Sequence, residues 1–275
     1  MAINYATTYG KKAVDAFALA SITRGVLSTE FNFVADSGKT VRLFTVATAE
    51  MNDYQRTGTA RYGTPEELQN TVQELTCARE RSFAFTIDAL NAMDTGNVHA
   101  AAAALRKQID EVVTPEIDKY TLGALAAAVT ANKVTTAPTA ENAYGLFLDM
   151  AAMLDEAKAP TANRVAWVSP TMYKYLKQDD AFVKASDMGQ QMLVSGQVGE
   201  VDGVKIIKAP ASYMPTNTHV IMAHKDAAIQ PVRLESYMTH ENPPGINGTL
   251  CEGLVYYDAF ILDARKDAVA VLATA

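Results

Sequence analysis

Two stretches decide the architecture: KTVRLFTVATAEMNDYQR, residues 39–56, and TVQELTCARERSFAFTID, residues 71–88. Side chains alternate along an extended chain, so the first places Val41, Leu43 and Thr45 on one face and Arg42, Phe44 and Val46 on the other. In the second, Phe83, Phe85 and Ile87 alternate strictly with Ala84, Thr86 and Asp88, whereas residues 71–81 are mostly polar. Between them lies YGTPEELQ, residues 62–69, where Thr64, Pro65 and Glu67 supply a cap, a first-turn proline and a capping box for a short helix or turn. The pattern predicts a long antiparallel hairpin. Neither face is cleanly apolar, and a two-stranded ribbon is marginal by itself, so the hairpin requires a neighbour.

Working outward, residues 1–28 read as an arm with one helical candidate at 12–20, where Val14, Phe17 and Ala18 share a face. Downstream, residues 97–131 repeat Val98, Ala102, Leu105, Ile109 and Val112 at helical spacing, and Thr114, Pro115 and Glu116 predict a kink or a new helix start. A second amphipathic helix spans 141–157 with Phe147, Met150, Ala151 and Leu154 on one face. Residues 164–168 predict a buried strand, and Ser169 with Pro170 a helix start running through Leu176. Strands are expected at 204–208, 219–223, 230–237, 253–263 and 268–273, so the class is α+β. A compact globule of 275 residues is about 50 Å across. A helix over 97–131 would be about 52 Å long and a strand over 71–88 about 60 Å. Each would span the whole molecule.

Hydrophobic residues make up 49% and charged residues 20%, with 15 Gly and 10 Pro, which excludes collagenous and disordered classes and leaves room for one large domain or two modest ones. The net charge of −7 opposes binding to nucleic acid through its phosphates and adhesion to anionic lipids. The longest apolar run, about residues 122–129, is far short of the roughly 20 residues a spanning helix needs, so no membrane partner is expected. Asp15 interrupts the only apolar run near the N-terminus, which predicts synthesis in the cytoplasm. Cys77 and Cys251, far apart and outside any CxxC, are expected to be reduced and structural.

Catalytic patterns are sparse. Asp94, Thr95 and Gly96 match the D-T-G of aspartic proteases, whose chemistry needs two such carboxylates, and the single copy here fits a helix cap better. His219 and His224, five apart in a strand, face opposite ways and cannot share a metal, and His99 and His240 lack ligand-like companions. Gly196, Gly199 and Gly203 precede a strand and have no Walker lysine, which makes them turn residues. Asn247, Gly248 and Thr249 form a sequon that reads as a turn. No catalytic, cofactor or metal residue is expected. In the hairpin, Arg42, Arg56, Arg61, Arg79 and Arg81 interleave with Glu50, Asp53, Glu66, Glu67, Glu74 and Glu80. Such a pattern suits either bidentate pairing at a subunit boundary or a solvated surface where pairs contribute about 0–1 kcal/mol.

Five strings carry a resemblance: MNDYQRTG (51–58), ARERSFAFTIDALNAMDT (78–95), VVTPEIDKYTLGALA (112–126), NRVAWVSPTMYKYLKQD (163–179) and GQVGEVDGVKIIKAP (196–210). In this order they are similar to the major capsid proteins of tailed bacteriophages with the Hong Kong 97-type fold, over about residues 39–272. The resemblance implies an N-terminal arm (1–28), an extended hairpin or E-loop (29–88), a peripheral domain on a spine helix (89–132 and 236–275) and an axial domain (133–235). It implies a structural protein without catalysis, assembling as pentamers and hexamers into an icosahedral virion shell around double-stranded DNA. Scaffolding, portal and decoration proteins are the implied partners. The short arm points to a separate scaffold or a processed terminus, and the lack of Lys between Thr40 and Arg106 to noncovalent shells. Tyr54, Arg56, Arg61, Arg79, Arg81, Glu66 and Glu67 are the expected intersubunit residues, given their place on the hairpin. The rival readings are an encapsulin-type compartment and, remotely, a DTG-type protease.

Overall fold

A computed structural model of the chain describes residues 21–28, 32–33, 40–46, 49, 51–57, 61–63, 67, 70–90, 101–179 and 199–274. They belong to two compact units, Glu30–Cys77 and a larger one formed by Met1–Thr29 with Ala78–Ala275. The helical candidate at 12–20 and the Thr64-Pro65 turn lie outside the described residues.

In the smaller unit, β1 (Asn32–Phe33), β2 (Thr40–Val46) and β3 (Asn70–Thr76) form an antiparallel sheet in that order. The register sets Arg42 opposite Glu74 and Thr40 opposite Thr76. The sequence predicts a hairpin returning as far as Asp88, but the chain leaves the pair at Cys77. Strand β4 (Arg79–Asp88) instead joins a sheet of the larger unit. The physical reason lies in the alternation itself: Phe83 supplies a half-apolar face that needs an apolar cover, and a helix of the larger unit provides one.

That helix comprises α1 (Ala101–Gln108), a π-helical turn (Ile109–Val113) and α2 (Thr114–Ala128). The expected break at Pro115 is absorbed rather than made. Thr114 N–H reaches back five residues to the Ile109 carbonyl, and the wider turn accommodates a proline that has no N–H of its own to donate. The helix ends at Ala128, where Val129 turns to extended geometry, three residues short of the sequence expectation.

There follow β5 (Lys133–Val134), α3 (Ala143–Glu156), β6 (Arg164–Val168), α4 (Pro170–Gln178), β7 (Glu200–Val201), β8 (Val204–Lys208) and β9 (Thr218–His224). The chain closes with β10 (Ala228–Ile229), β11 (Val232–Glu241), β12 (Gly248–Tyr257), β13 (Phe260–Ile261) and β14 (Val269–Ala273). The central sheet has the order β5-β14-β9-β6-β8-β7, with β6 parallel to β8 and antiparallel to β9. All five residues of β6 are buried, as a strand covered on both faces must be. Alternation divides it: Ala166 and Val168 join Phe147, Met150 and Leu154 of α3 and Met172 and Leu176 of α4. Val165 and Trp167 join Leu122 and Leu125 of α2 and Ile22 and Leu27 of the N-terminal segment. Each large side chain so buried contributes about 1.5–3 kcal/mol.

Two polar groups of this core, Ser169 and Arg164, find partners within nine residues in sequence. Ser169 Oγ accepts the Met172 N–H at 3.3 Å and caps α4, as its sequence predicts. Arg164, 3% exposed, donates to the carbonyls of Ala159 (2.7 Å) and Pro160 (2.9 Å) and pairs with Asp155 at 2.6 Å, closing the C-terminal end of α3. Cys77 and Cys251 are buried thiols not joined in a disulfide.

The second sheet of the larger unit, β11-β12-β4, is antiparallel and lies against the long helix. Ile117, Val255 and Tyr257 form its buried core, with Phe83, Val113 and Tyr120 packed around them.

Candidate assembly surfaces

In the smaller unit the ladder is held by polar as well as backbone contacts. Arg42 Nε lies 2.6 Å from Glu74 Oε1 across the strands, half-exposed on both sides, and the Thr40 and Thr76 hydroxyls are 3.2 Å apart. Beyond β2 the chain forms a loop closed by the Gln55 N–H on the Arg61 carbonyl at 3.0 Å. Tyr54 and Tyr62 meet edge to face at 5.1 Å across it. Gly63 follows at φ +80°, a left-handed conformation that glycine adopts freely, and the Asn52 side chain occupies the space a Cβ would need.

This loop presents apolar surface to solvent: Met51 is 99%, Tyr62 83% and Tyr54 53% exposed. Exposed large apolar groups on one short loop are a docking signature rather than a fold requirement. Arg56, Arg61 and Glu67 are exposed in the same unit, and Glu66 lies outside the described residues. Met51 and Tyr62 were not singled out by the sequence, although two large apolar residues within a polar stretch are a legible signal.

Arg79 and Arg81 do not sit on the hairpin. Both are on β4 in the larger unit and reach the long helix: the Arg79 guanidinium lies 4.9 Å over the Tyr120 ring, and Arg81 Nε is 2.8 Å from Glu116 Oε1. Tyr257 donates its hydroxyl to the same Glu116 oxygen at 2.7 Å and meets Tyr120 edge to face at 5.5 Å. Asp258, nearly buried, accepts the Ala78 N–H at 2.8 Å and the Tyr120 hydroxyl at 2.9 Å. Burial, followed by the bond to Glu116, raises the Tyr257 phenol well above its ordinary range. Burial and Asp258 raise that of Tyr120. Tyr120, Tyr257 and Asp258 carry no local motif that would mark them in the sequence, and Glu116 is marked only as part of a helix start, since only tertiary packing brings the four together.

Asp94, Thr95, Gly96, His99 and Gly196 lie outside the described residues. His219 is partly covered, and burial lowers its pKa. His224 is buried, and its Nδ1 accepts the Asp226 N–H at 3.2 Å. His240 lies 3.6 Å from Glu252 on the exposed face of the second sheet. Gly203 turns between β7 and β8 at φ +72°. Among the described residues, no group of three or more His, Cys, Asp or Glu is placed to hold a metal ion, and no helix is long and apolar enough to cross a membrane.

Comparison with known proteins gives a match to a family model described as phage capsid protein, over residues 78–272. No curated protein matches in sequence. Among solved structures, one from Mycobacterium phage Che8 superposes with a TM-score of 0.75 at 17% identity, covering 97% of this chain and 96% of that one. The capsid structure of cyanophage P-SCSP1u gives 0.74 at 15% identity, covering 98% and 93%. The asymmetric unit of the bacteriophage PhiM1 mature capsid gives 0.70 at 12% identity, covering 98% and 91%.

Proposed function

Since the chain belongs to the phage capsid protein family, with the α+β fold of Hong Kong 97-type capsids, we propose that it builds the icosahedral head of a tailed double-stranded DNA phage from pentamers and hexamers of itself. It is a major capsid protein, a structural component of the virion shell. The shell is non-catalytic, assembles in the bacterial cytoplasm, and takes scaffolding, portal and decoration proteins as partners. On this view the E-loop is the unit Glu30–Cys77, residues 133–235 form the axial domain, and 89–132 with 236–275 the peripheral domain. An encapsulin-type compartment is the weaker alternative, because the family model that matches is that of phage capsid proteins.

The observation that carries the capsomer reading is the small separate unit, whose loop leaves Met51, Tyr54 and Tyr62 facing solvent. Burying them against other copies removes apolar surface from water without a large core of their own. A net charge of −7 lets such a shell enclose DNA without adhering to it. With Tyr54, Arg56, Arg61 and Glu67 as intersubunit residues, Arg56→Glu gives a folded subunit that forms no shells, while the unaltered chain assembles closed particles visible by negative-stain electron microscopy. Normal particles from Arg56→Glu argue against that interface. A stable, monodisperse monomer of the unaltered chain at high concentration argues against the capsomer reading itself.

A further inference from the structure

We infer that Asp258 is a positioning residue for the E-loop: it holds the first residue after that loop against the long helix, and shell assembly depends on this anchored root. The inference rests on the reading that the E-loop makes contacts between subunits.

Ala78 lies between strands β3 and β4 and outside both of their ladders, which run Thr40↔Thr76 to Val46↔Asn70 and Arg79↔Tyr257 to Asp88↔Gly248. Its N–H is taken by Asp258 Oδ2 at 2.8 Å. The other carboxylate oxygen accepts the Tyr120 hydroxyl at 2.9 Å and the Ala259 N–H at 2.8 Å, so both oxygens are engaged. Asp258 is itself fixed by its own N–H on the Pro231 carbonyl at 3.1 Å. A carboxylate 5% exposed to water requires such donors, and here they come from the junction, from the helix and from the residue that follows Asp258.

The next residues are tied to the same stretch of helix. Arg79 covers the Tyr120 ring and Arg81 pairs with Glu116, which also accepts the Tyr257 hydroxyl. Asp258, bonded to both Ala78 and Tyr120, and two side chains on β4 therefore converge on residues 116–120. An interaction element whose root is ordered beforehand loses less conformational entropy when it docks, and this benefit recurs at every subunit added to a shell. If the root were free, ordering it would oppose each addition.

The test compares native-state hydrogen exchange and particle yield for the full-length parent, D258A, D258N and Y120F. D258A is expected to speed exchange of the Ala78 and Arg79 amides by about tenfold or more, the loss expected for a charge-assisted bond, with Ile221 and Met222 of the central sheet unchanged. Particle yield falls with it. D258N keeps an acceptor toward Ala78 and is expected to hold both quantities within about threefold of the parent. Parental exchange at Ala78 in D258A, or parental particle yield, overturns the inference. Should D258A lose protection throughout the fold, Y120F decides: it deletes one hydroxyl, and faster local exchange with reduced yield supports the inference, whereas parental behaviour overturns it. A parent chain that forms no particles counts against the shell reading, and unchanged Ala78 exchange then separately counts against the role of Asp258.

Discussion

Asp118, in the middle of the long helix, accepts the backbone N–H of Ile22 through Oδ2 at 2.9 Å, joining residues 96 apart in the chain. Its other oxygen takes the hydroxyls of Ser21 (2.7 Å) and Thr23 (2.5 Å). Gln230 Nε2 extends the network to Thr23 and Thr121, and Trp167 Nε1 donates to the Ile22 carbonyl at 2.9 Å. The start of the described chain is thereby fastened to helix and sheet at once.

Removing that carboxylate leaves one backbone and two hydroxyl donors without their acceptor in a buried site. Asp118→Ala is expected to cost about 2–4 kcal/mol, read as a lower midpoint in thermal or denaturant unfolding. Asp118→Asn, which retains one acceptor oxygen, should lose less. Equal midpoints for the parent and Asp118→Ala would show that the segment 21–23 is held by its apolar contacts alone.

Gly253 on β12 faces Phe83 on β4, and a Cβ at Gly253 would overlap the Phe83 ring. Gly253→Ala should destabilise by about 1–3 kcal/mol through forced displacement of that ring. Adding Phe83→Leu gives the methyl room, so the pair should cost less than the sum of the two single changes by about 0.5–1 kcal/mol. Strict additivity in the double-mutant cycle would contradict the steric account.

The raised phenols of Tyr257 and Tyr120 make stability depend on alkaline pH. Both hold their protons more tightly in the folded chain than their ordinary value of 10.0. Their contribution is complete below that pH. As pH rises past it, the unfolded chain releases protons that the folded chain retains, and stability falls. The thermal midpoint should therefore decline above pH 10, with a shallower decline in Tyr257→Phe. Identical slopes in the two proteins would remove Tyr257 as a source.

The helices around the central sheet were legible from local pattern. Phe147, Met150, Ala151 and Leu154 recur at helical spacing and are all buried, and Ser169-Pro170 starts a helix where its chemistry requires one. The continuous apolar run of β6 announced a strand covered on both faces. The hairpin was legible in kind but not in extent. Residues 71–88 read as one extended stretch, yet they divide between two sheets. The placement of Arg79 and Arg81 followed the same error.

What the sequence determined by itself were features set within a few residues: periodicity, caps, the exposed polar ribbon and an acidic charge unsuited to gripping DNA. Only the tertiary structure decided which strand each ribbon limb would meet and which carboxylates would be buried. The pairing of β4 with β12, the bonds of Asp118 to residues 21–23 and those of Asp258 to Ala78 and Tyr120 join groups 95 to 180 positions apart, and no local pattern encodes a contact whose two halves gain stability only once the whole core has closed around them.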